Sequence, residues 1–412
     1  MLKNISSTLF IMVLAMLSSF AVTILLGRTL SASDFGEFTL LKQILLIGST
    51  VAVFGLDYSY IKNFANQNPV SLRTHLFTLF IFVTISAIFV VVLEFLYAVD
   101  FTKLLYIYFC ILFGAINFYI AAIERLNNRF LLAQLFAHGW KIALLILVGI
   151  LLLTDIEIDI KIIYPLFTLS LFIGSTFMIR YLLSHTDNET RDIGVKNYLT
   201  FGLMFWLINS TGLVSGGIDK LVIPILFGSD TLGVYAAVSF LFVISLTMVG
   251  SAIGYVIFPK ISSGEQINVK KWSLIVLVLC ISAIVVYQFV GSFLVSLIFS
   301  GKYDAYVSSR IILTFSVIGS LQIIHTILHF VISAKGHKHQ LMSYWFISIL
   351  FILLFVALLY FGQIDNNSAL MRISTIVMIV RSAKIVVMAI FLKILIENNA
   401  DNPPTLLAIP ID

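Results

Sequence analysis

Charged residues are scarce in this chain of 412 residues. Asp, Glu, Lys and Arg make up only 11% of the sequence and hydrophobic side chains make up 60%, whereas soluble domains average about 25% charged and about 45–50% apolar residues. This composition excludes a water-soluble globular domain. The 36 Phe and 16 Tyr residues exclude a disordered chain, and a net charge of +5 spread along the sequence does not indicate nucleic-acid binding.

Catalytic and cofactor motifs are missing as well. The two cysteines, Cys110 and Cys280, lie far apart inside apolar runs, which indicates neither a disulfide framework nor a metal site. The sequence has no G-x-x-x-x-G-K-[ST] loop for ATP, and no H-E-x-x-H or G-x-S-x-G motif. We therefore predict no catalytic residue, no metal and no ATP site, and a transporter rather than an enzyme.

Long apolar runs dominate what remains. Each has about 20 residues, the length that crosses a bilayer as a helix, and a helix is required because lipid offers no hydrogen-bond partner to the backbone. The sequence predicts an all-α polytopic membrane protein with about twelve transmembrane helices. They are expected at residues 5–27, 36–56, 75–95, 103–123, 130–154, 161–183, 197–226, 231–258, 273–299, 309–334, 341–362 and 368–396.

The distribution of Lys and Arg indicates the orientation of these helices. Most of the Lys and Arg residues, including Lys141, are assigned to the connections on one side of the membrane. The connection Asp155–Asp159 lies on the other side and is acidic. Because basic connections remain on the cytoplasmic side, both termini are predicted to be cytoplasmic. The apolar run of residues 9–26 is longer than a signal-peptide core, so we interpret it as part of an uncleaved transmembrane helix. Residues 398–412 are predicted to be a disordered cytoplasmic tail.

A short motif recurs half a chain length apart. Ser33–Phe38 follows the first predicted helix and Asp230–Tyr235 follows the seventh, and both place an apolar residue, Gly and an aromatic residue before the next helix. The connections after the fourth and tenth helices also match. Since six is an even number, the two halves share one orientation, which is a known transporter plan. We predict two six-helix lobes, residues 1–190 and 191–397, around a central cavity.

Ionisable residues inside the predicted helices indicate a functional site. A charge near the bilayer centre costs at least about 2.5–3.5 kcal/mol, so such residues normally face a cavity or a partner. Helical spacing places them in polar stripes on separate helices, which predicts a wet translocation cavity. Its excess of positive charge suits phosphate or acidic sugars. The main candidates are Lys42, Asp219, Lys220, Arg381 and Lys384, and the weaker ones are Gln43, Ser215, Gln322, His325 and His329.

Four of these candidates have a second interpretation. Asp219 is either part of the cavity or a counter-ion of Lys220 or Lys42. Lys42 alternatively extends along its helix so that the ammonium group reaches the outer surface. His325 and His329 have the spacing of metal ligands on a helix, but no acid or Cys joins them. We therefore interpret the two histidines as polar lining or as packed side chains.

The order of several short segments along the chain is distinctive. They are Leu26–Leu30 with Asp34–Phe38, Asp219–Lys220 with Phe227–Gly228 and Leu232–Ala237, Phe258–Ile261, Leu297–Tyr303, and Ala334–His337. In this order they resemble polysaccharide flippases of the O-antigen (Wzx) type, which belong to the multidrug/oligosaccharidyl-lipid/polysaccharide (MOP) exporter superfamily.

The resemblance implies a V-shaped bundle of two six-helix lobes in the bacterial inner membrane. It implies transfer of an undecaprenyl-pyrophosphate-linked oligosaccharide, such as an O-antigen repeat unit, from the inner to the outer leaflet by alternating access. An ion gradient or the membrane potential is the expected energy source, without a cofactor. The expected partners are this lipid-linked glycan, the lipid bilayer, and a polysaccharide polymerase with its chain-length regulator.

Two other functions remain open at this point. A multidrug exporter of the same superfamily is expected to have an acidic cavity for cationic drugs, which the basic excess in the predicted helices opposes. A membrane enzyme, such as a polymerase or an O-acyltransferase, requires a catalytic His or Arg cluster facing a large outer loop. Polymer formation by the purified protein would favour the enzyme.

Overall fold

A computed structural model describes residues 2–64, 72–154, 157–183, 195–251, 253, 269–335, 338–362 and 369–401. Helices account for nearly all of this part of the chain, and no strand occurs in it. Within these described ranges, eleven helices are long and apolar enough to cross a membrane. The prediction of an all-α polytopic membrane protein is confirmed.

The first part of the chain contains nine helices in its described residues. They are α1 (Leu2–Thr29), α2 (Ala32–Val53), α3 (Leu56–Phe64), α4 (Leu72–Tyr97), α5 (Phe101–Leu126), α6 (Phe130–Leu153), α7 (Ile160–Ser175), α8 (Phe177–Leu183) and α9 (Val195–Ser239). Polar residues at helix starts replace missing backbone partners. Ser31 and Asp100, for example, accept hydrogen bonds of 3.1 Å from the backbone N–H groups of Asp34 and Thr102.

The rest of the chain contains long helices, a short π-helix and a 3₁₀ turn. After α9 come a π-helix (Phe240–Ile244), α10 (Val269–Phe299), a 3₁₀ turn (Asp304–Tyr306), α11 (Ser309–Lys335), α12 (Lys338–Phe361) and α13 (Ala369–Asp401). The first four residues of the predicted disordered tail are thus helical, and residues 402–412 lie outside the described part. The segment Phe258–Ile261 and His337 of the sequence resemblance also lie outside it.

Glycine determines where two of the predicted helices are separated. The helical parts of α9 on either side of Gly228 correspond to the predicted helices 197–226 and 231–258, and Gly228, whose backbone is not helical, lies in the predicted connection between them. Gly228 has φ 84°, which only glycine adopts readily. The predicted helix 36–56 instead ends at Val53, because Phe54 and Gly55 have φ values of 52° and 66°, and α3 follows as a separate helix.

The chain forms two compact units, Met1–Gly233 and Val234–Asp412. In the first unit, α5 packs against α2, α4, α6 and α7, and α1 packs against α6. In the second unit, α11 packs against the π-helix, α10 and α13, and α12 packs against α13. Each unit therefore has one helix that packs against several others, which is α5 in the first unit and α11 in the second. The lobe boundaries at residues 190 and 397 stay a prediction.

The recurring glycine motif forms a reciprocal contact within the first unit. A methyl group added to Gly36 would lie 1.9 Å from the carbonyl oxygen of Ser229, and one added to Gly233 would lie 1.9 Å from that of Ala32. Ala32 and Ser229 occupy equivalent positions of the two motifs, each four residues before the glycine. The two copies of the motif therefore touch backbone to backbone, and each requires a residue without a side chain.

Candidate functional site

In the second unit, two basic side chains lie near the middle of a membrane-length helix. The spanning stretch of α13 runs from Ala369 to Ile394. Arg381 lies near its centre, and Lys384, one turn further, is only 5% exposed. The Nη1 atom of Arg381 donates a hydrogen bond of 2.8 Å to Oε1 of Gln322 on α11. This bond orients the guanidinium group, and we refer to Arg381 and Lys384 as the basic pair.

The two histidines among the candidate site residues, His325 and His329, lie on α11, close to the basic pair. The Nδ1 atom of His329 is 3.0 Å from the hydroxyl of Tyr344 on α12, and their ring centroids are 5.6 Å apart. His325 is near enough to both members of the basic pair for their charges to act on it. Its Nε2 atom is buried and has no hydrogen-bond partner within the described residues. The structure thus brings the polar stripe of α11 and the basic pair of α13 together.

The spanning segments of the second unit contain basic residues but no carboxylate. These segments are residues 234–251, 274–299, 309–332, 342–361 and 369–394, and none includes Asp or Glu. The basic pair therefore lies in membrane-spanning sequence of net positive charge. Buried ammonium and guanidinium groups bind phosphate oxygens through charge-assisted hydrogen bonds, and Arg does so with two parallel N–H groups.

In the first unit, Lys42 lies at the middle of α2 and turns towards α1. Its Nζ atom donates a hydrogen bond of 3.1 Å to Oγ1 of Thr23. The side chain borders a small cavity together with Lys141 of α6. Lys141 lies at the centre of Phe130–Leu153, so its assignment to a connection was wrong. Its position inside an apolar run was the signal that it belongs to a helix.

The other candidates in the first unit lie on α9 and on α2 opposite to it. Asp219 is 5% exposed, and its Oδ1 atom accepts a hydrogen bond of 3.0 Å from the backbone N–H of Lys220. Gln43 packs against Gly217, where an added methyl group would lie 2.1 Å from the amide nitrogen of Gln43. Ser215 is half-buried on the same helix. Gln43 therefore contributes to a close contact between α2 and α9.

One polar cluster was missed by the sequence analysis. Glu37 of α2 accepts hydrogen bonds of 2.5 Å from Nζ of Lys103 on α5 and 2.7 Å from the hydroxyl of Tyr164 on α7. The Nζ atom of Lys103 is also 5.7 Å from the Tyr164 ring centroid. These contacts join three helices of the first unit and give Glu37 a structural role. The sequence could not show this, since the three residues are far apart in the chain.

Two solved structures share this fold over almost their entire length. A mutant of the MATE transporter VcmN from Vibrio cholerae covers 98% of this chain and 97% of its own, with 13% identity and a TM-score of 0.52. A MATE structure in complex with MaL6 covers 96% of this chain and 95% of its own, with 13% identity and a TM-score of 0.53. No protein-family model matches the sequence, and no curated protein does either.

The chain is therefore a multi-pass α-helical membrane protein with the fold of MATE transporters. The MOP superfamily and its polysaccharide branch, both suggested by the sequence resemblance, stay predictions.

Proposed function

We propose that this protein is a transporter that moves an anionic, phosphate-bearing lipid across the membrane by alternating access. The carrying observation is the arrangement around the basic pair, where Arg381 is oriented by Gln322 and Lys384 is buried, in spanning segments without Asp or Glu. Each such charge costs at least about 2.5–3.5 kcal/mol to place at the bilayer centre. A negative ligand offsets that cost when it binds.

The more specific substrate is an undecaprenyl-pyrophosphate-linked oligosaccharide, which we propose moves from the inner to the outer leaflet of a bacterial inner membrane. The resemblance to O-antigen flippases supports this choice. A diphosphate offers several oxygens to a guanidinium and an ammonium group. The polyprenyl tail remains in lipid, so the protein only needs to shield the headgroup. An ion gradient or the membrane potential would drive the transfer, and both termini would be cytoplasmic.

One alternative with the same fold is a multidrug exporter. The two structural neighbours are MATE transporters, and one is in complex with MaL6. A cavity that binds cationic drugs benefits from carboxylates, whereas the spanning segments of the second unit have none. We therefore favour the anionic lipid over a cationic drug.

Transfer of a lipid-linked glycan in proteoliposomes tests the proposal. We expect the purified protein to expose undecaprenyl-diphosphate-linked oligosaccharide, placed in the inner leaflet, to a membrane-impermeant glycosidase added outside. The same glycan on an uncharged polyprenyl carrier should move much more slowly, because it lacks the diphosphate. Protein-free liposomes give the background rate.

Two results would contradict the proposal. One is an equal rate for the charged and the uncharged carrier, which would mean that the diphosphate is not recognised. The other is accumulation of a lipophilic cation together with no transfer of the glycan lipid, which would favour the multidrug exporter.

A further inference from the structure

The first unit contains a small cavity where α1, α2, α6 and α7 meet. Its volume is about 10 Å³, which is room for one water-sized particle. Aromatic rings of Phe38, Phe167 and Trp140 form much of its wall, and Ser19 contributes a hydroxyl group. The cavity belongs to the first unit and is therefore separate from the basic pair.

Two lysines from different helices border this cavity. Lys42 and Lys141 both lie at the midpoints of their helices, α2 and α6. In a helix of this length each end is about 15–18 Å away along the axis, so neither ammonium group is near a helix terminus. Lys42 is close enough to Lys220 on α9 and to Lys141 for both of their charges to act on it.

None of the residues that line the cavity is acidic. The carboxylate nearest in sequence to Lys42 is Glu37, which already accepts hydrogen bonds from Lys103 and Tyr164. Thr23 provides Lys42 with a neutral oxygen, and the Nζ atom of Lys141 is 5.7 Å from the ring centroid of Trp140. These contacts reduce the cost of burying two positive charges, but they do not cancel the mutual repulsion of the charges.

A small anion fits both the charge and the size of this cavity. One negative ion between two ammonium groups adds two attractions that outweigh their mutual repulsion, and these attractions are strong where the dielectric constant is low. A volume for a single water-sized particle is too small for phosphate, sulfate or a carboxylate ligand. A chloride ion is only slightly larger than a water molecule and fits when the flexible lysine side chains shift slightly. Aromatic ring edges carry partial positive charge and are compatible with an anion beside them.

We propose that this cavity is a halide site, occupied by chloride, in which Lys42 and Lys141 hold the ion and thereby join α2 to α6. The site is independent of the proposed transport function, because it uses neither the basic pair nor any residue of the second unit. It gives Lys42 a role different from the translocation cavity expected from the sequence.

Thermal unfolding of the purified full-length protein in chloride and in gluconate, at constant ionic strength, tests this site. A ligand that binds only the folded state stabilises it by mass action. At a chloride concentration about five times Kd, we expect the midpoint of unfolding to rise by about 2–4 °C for a unit of this size. Bromide should act like chloride, whereas sulfate should act like gluconate.

Matched lysine variants distinguish this site from other effects of salt. Lys42→Met and Lys141→Met should each lose the difference between chloride and gluconate. Lys384→Met should retain it, although we expect this variant to lose transport. Absence of glycan transfer by the wild-type protein, together with an intact chloride effect, would therefore count against the transport proposal alone.

Bromide provides a second measurement that needs no variant. A crystal structure of the wild-type protein in bromide should show one anomalous peak between the ammonium groups of Lys42 and Lys141. Absence of that peak would overturn the proposal. Equal unfolding midpoints of the wild-type protein in chloride and gluconate would also overturn it, as would a chloride effect that persists in both lysine variants.

Discussion

Arg381→Ala should lower the rate of glycan-lipid transfer in proteoliposomes by about ten- to hundred-fold. Hydrogen bonds to charged groups contribute about 1.5–3 kcal/mol each, and about 1.4 kcal/mol corresponds to a factor of ten. The substitution removes the guanidinium group that Gln322 orients. Lys384→Ala should have a similar effect, because it removes the buried ammonium group one turn away. Arg381→Lys should be intermediate, because it keeps the charge but loses the two-pronged geometry of the guanidinium.

A lysine near the end of the same helix provides the control for these variants. Lys393 is exposed near the end of the spanning stretch of α13, so Lys393→Ala makes the same change in charge away from the basic pair. It should transfer the glycan lipid at close to the wild-type rate. Transfer at the wild-type rate by both Arg381→Ala and Lys384→Ala, with normal amounts of protein in the membrane, would remove the basic pair from the mechanism.

Gly233→Ala should be strongly destabilising although it adds a single methyl group. That methyl group would lie 1.9 Å from the carbonyl oxygen of Ala32, which is backbone and not a movable side chain. The helices must separate to accept it, and overpacking of this kind costs about 3 kcal/mol. We expect a lower midpoint of thermal unfolding and a lower yield of folded protein. Gly36→Ala should behave alike, since it would meet the carbonyl oxygen of Ser229 in the equivalent way.

Gly149 of α6 is the matched control for this effect. An added methyl group there has no neighbouring atom within 4 Å. Gly149→Ala is expected to stabilise the helix by about 0.4–1 kcal/mol, because alanine restricts the unfolded chain. Equal unfolding midpoints for Gly149→Ala and Gly233→Ala would show that the reciprocal glycine contact does not hold α2 and α9 together.

The sequence predicted the spanning helices because length and hydropathy are local properties. Gly228, whose backbone is not helical, lies inside the predicted connection between residues 226 and 231, so the local signal was correct there. Lys141 lies inside the predicted helix 130–154, so its assignment to a connection contradicted the hydropathy pattern. Only the packing of α6 shows that its side chain borders a cavity.

The candidate site could be predicted only in part. Helical spacing correctly places Arg381 and Lys384 one turn apart on one helix, and the polar stripe of α11 is likewise a property of one helix. Whether these two helices face each other depends on helix rotation and neighbour order, which no local pattern determines. The hydrogen bond from Arg381 to Gln322 therefore appears first in the structure. The same reason explains why the contacts of Glu37 with α5 and α7 were not predicted.

Binding of a polyprenyl diphosphate to the purified protein tests most directly the claim that the basic pair recognises an anionic headgroup. We expect the wild-type protein to bind the diphosphate at least about ten-fold more tightly than the corresponding polyprenyl alcohol. Arg381→Ala and Lys384→Ala should lose that preference, whereas Lys393→Ala should keep it. Equal affinity of the wild-type protein for the diphosphate and the alcohol, or an unchanged preference in both variants, would contradict this account.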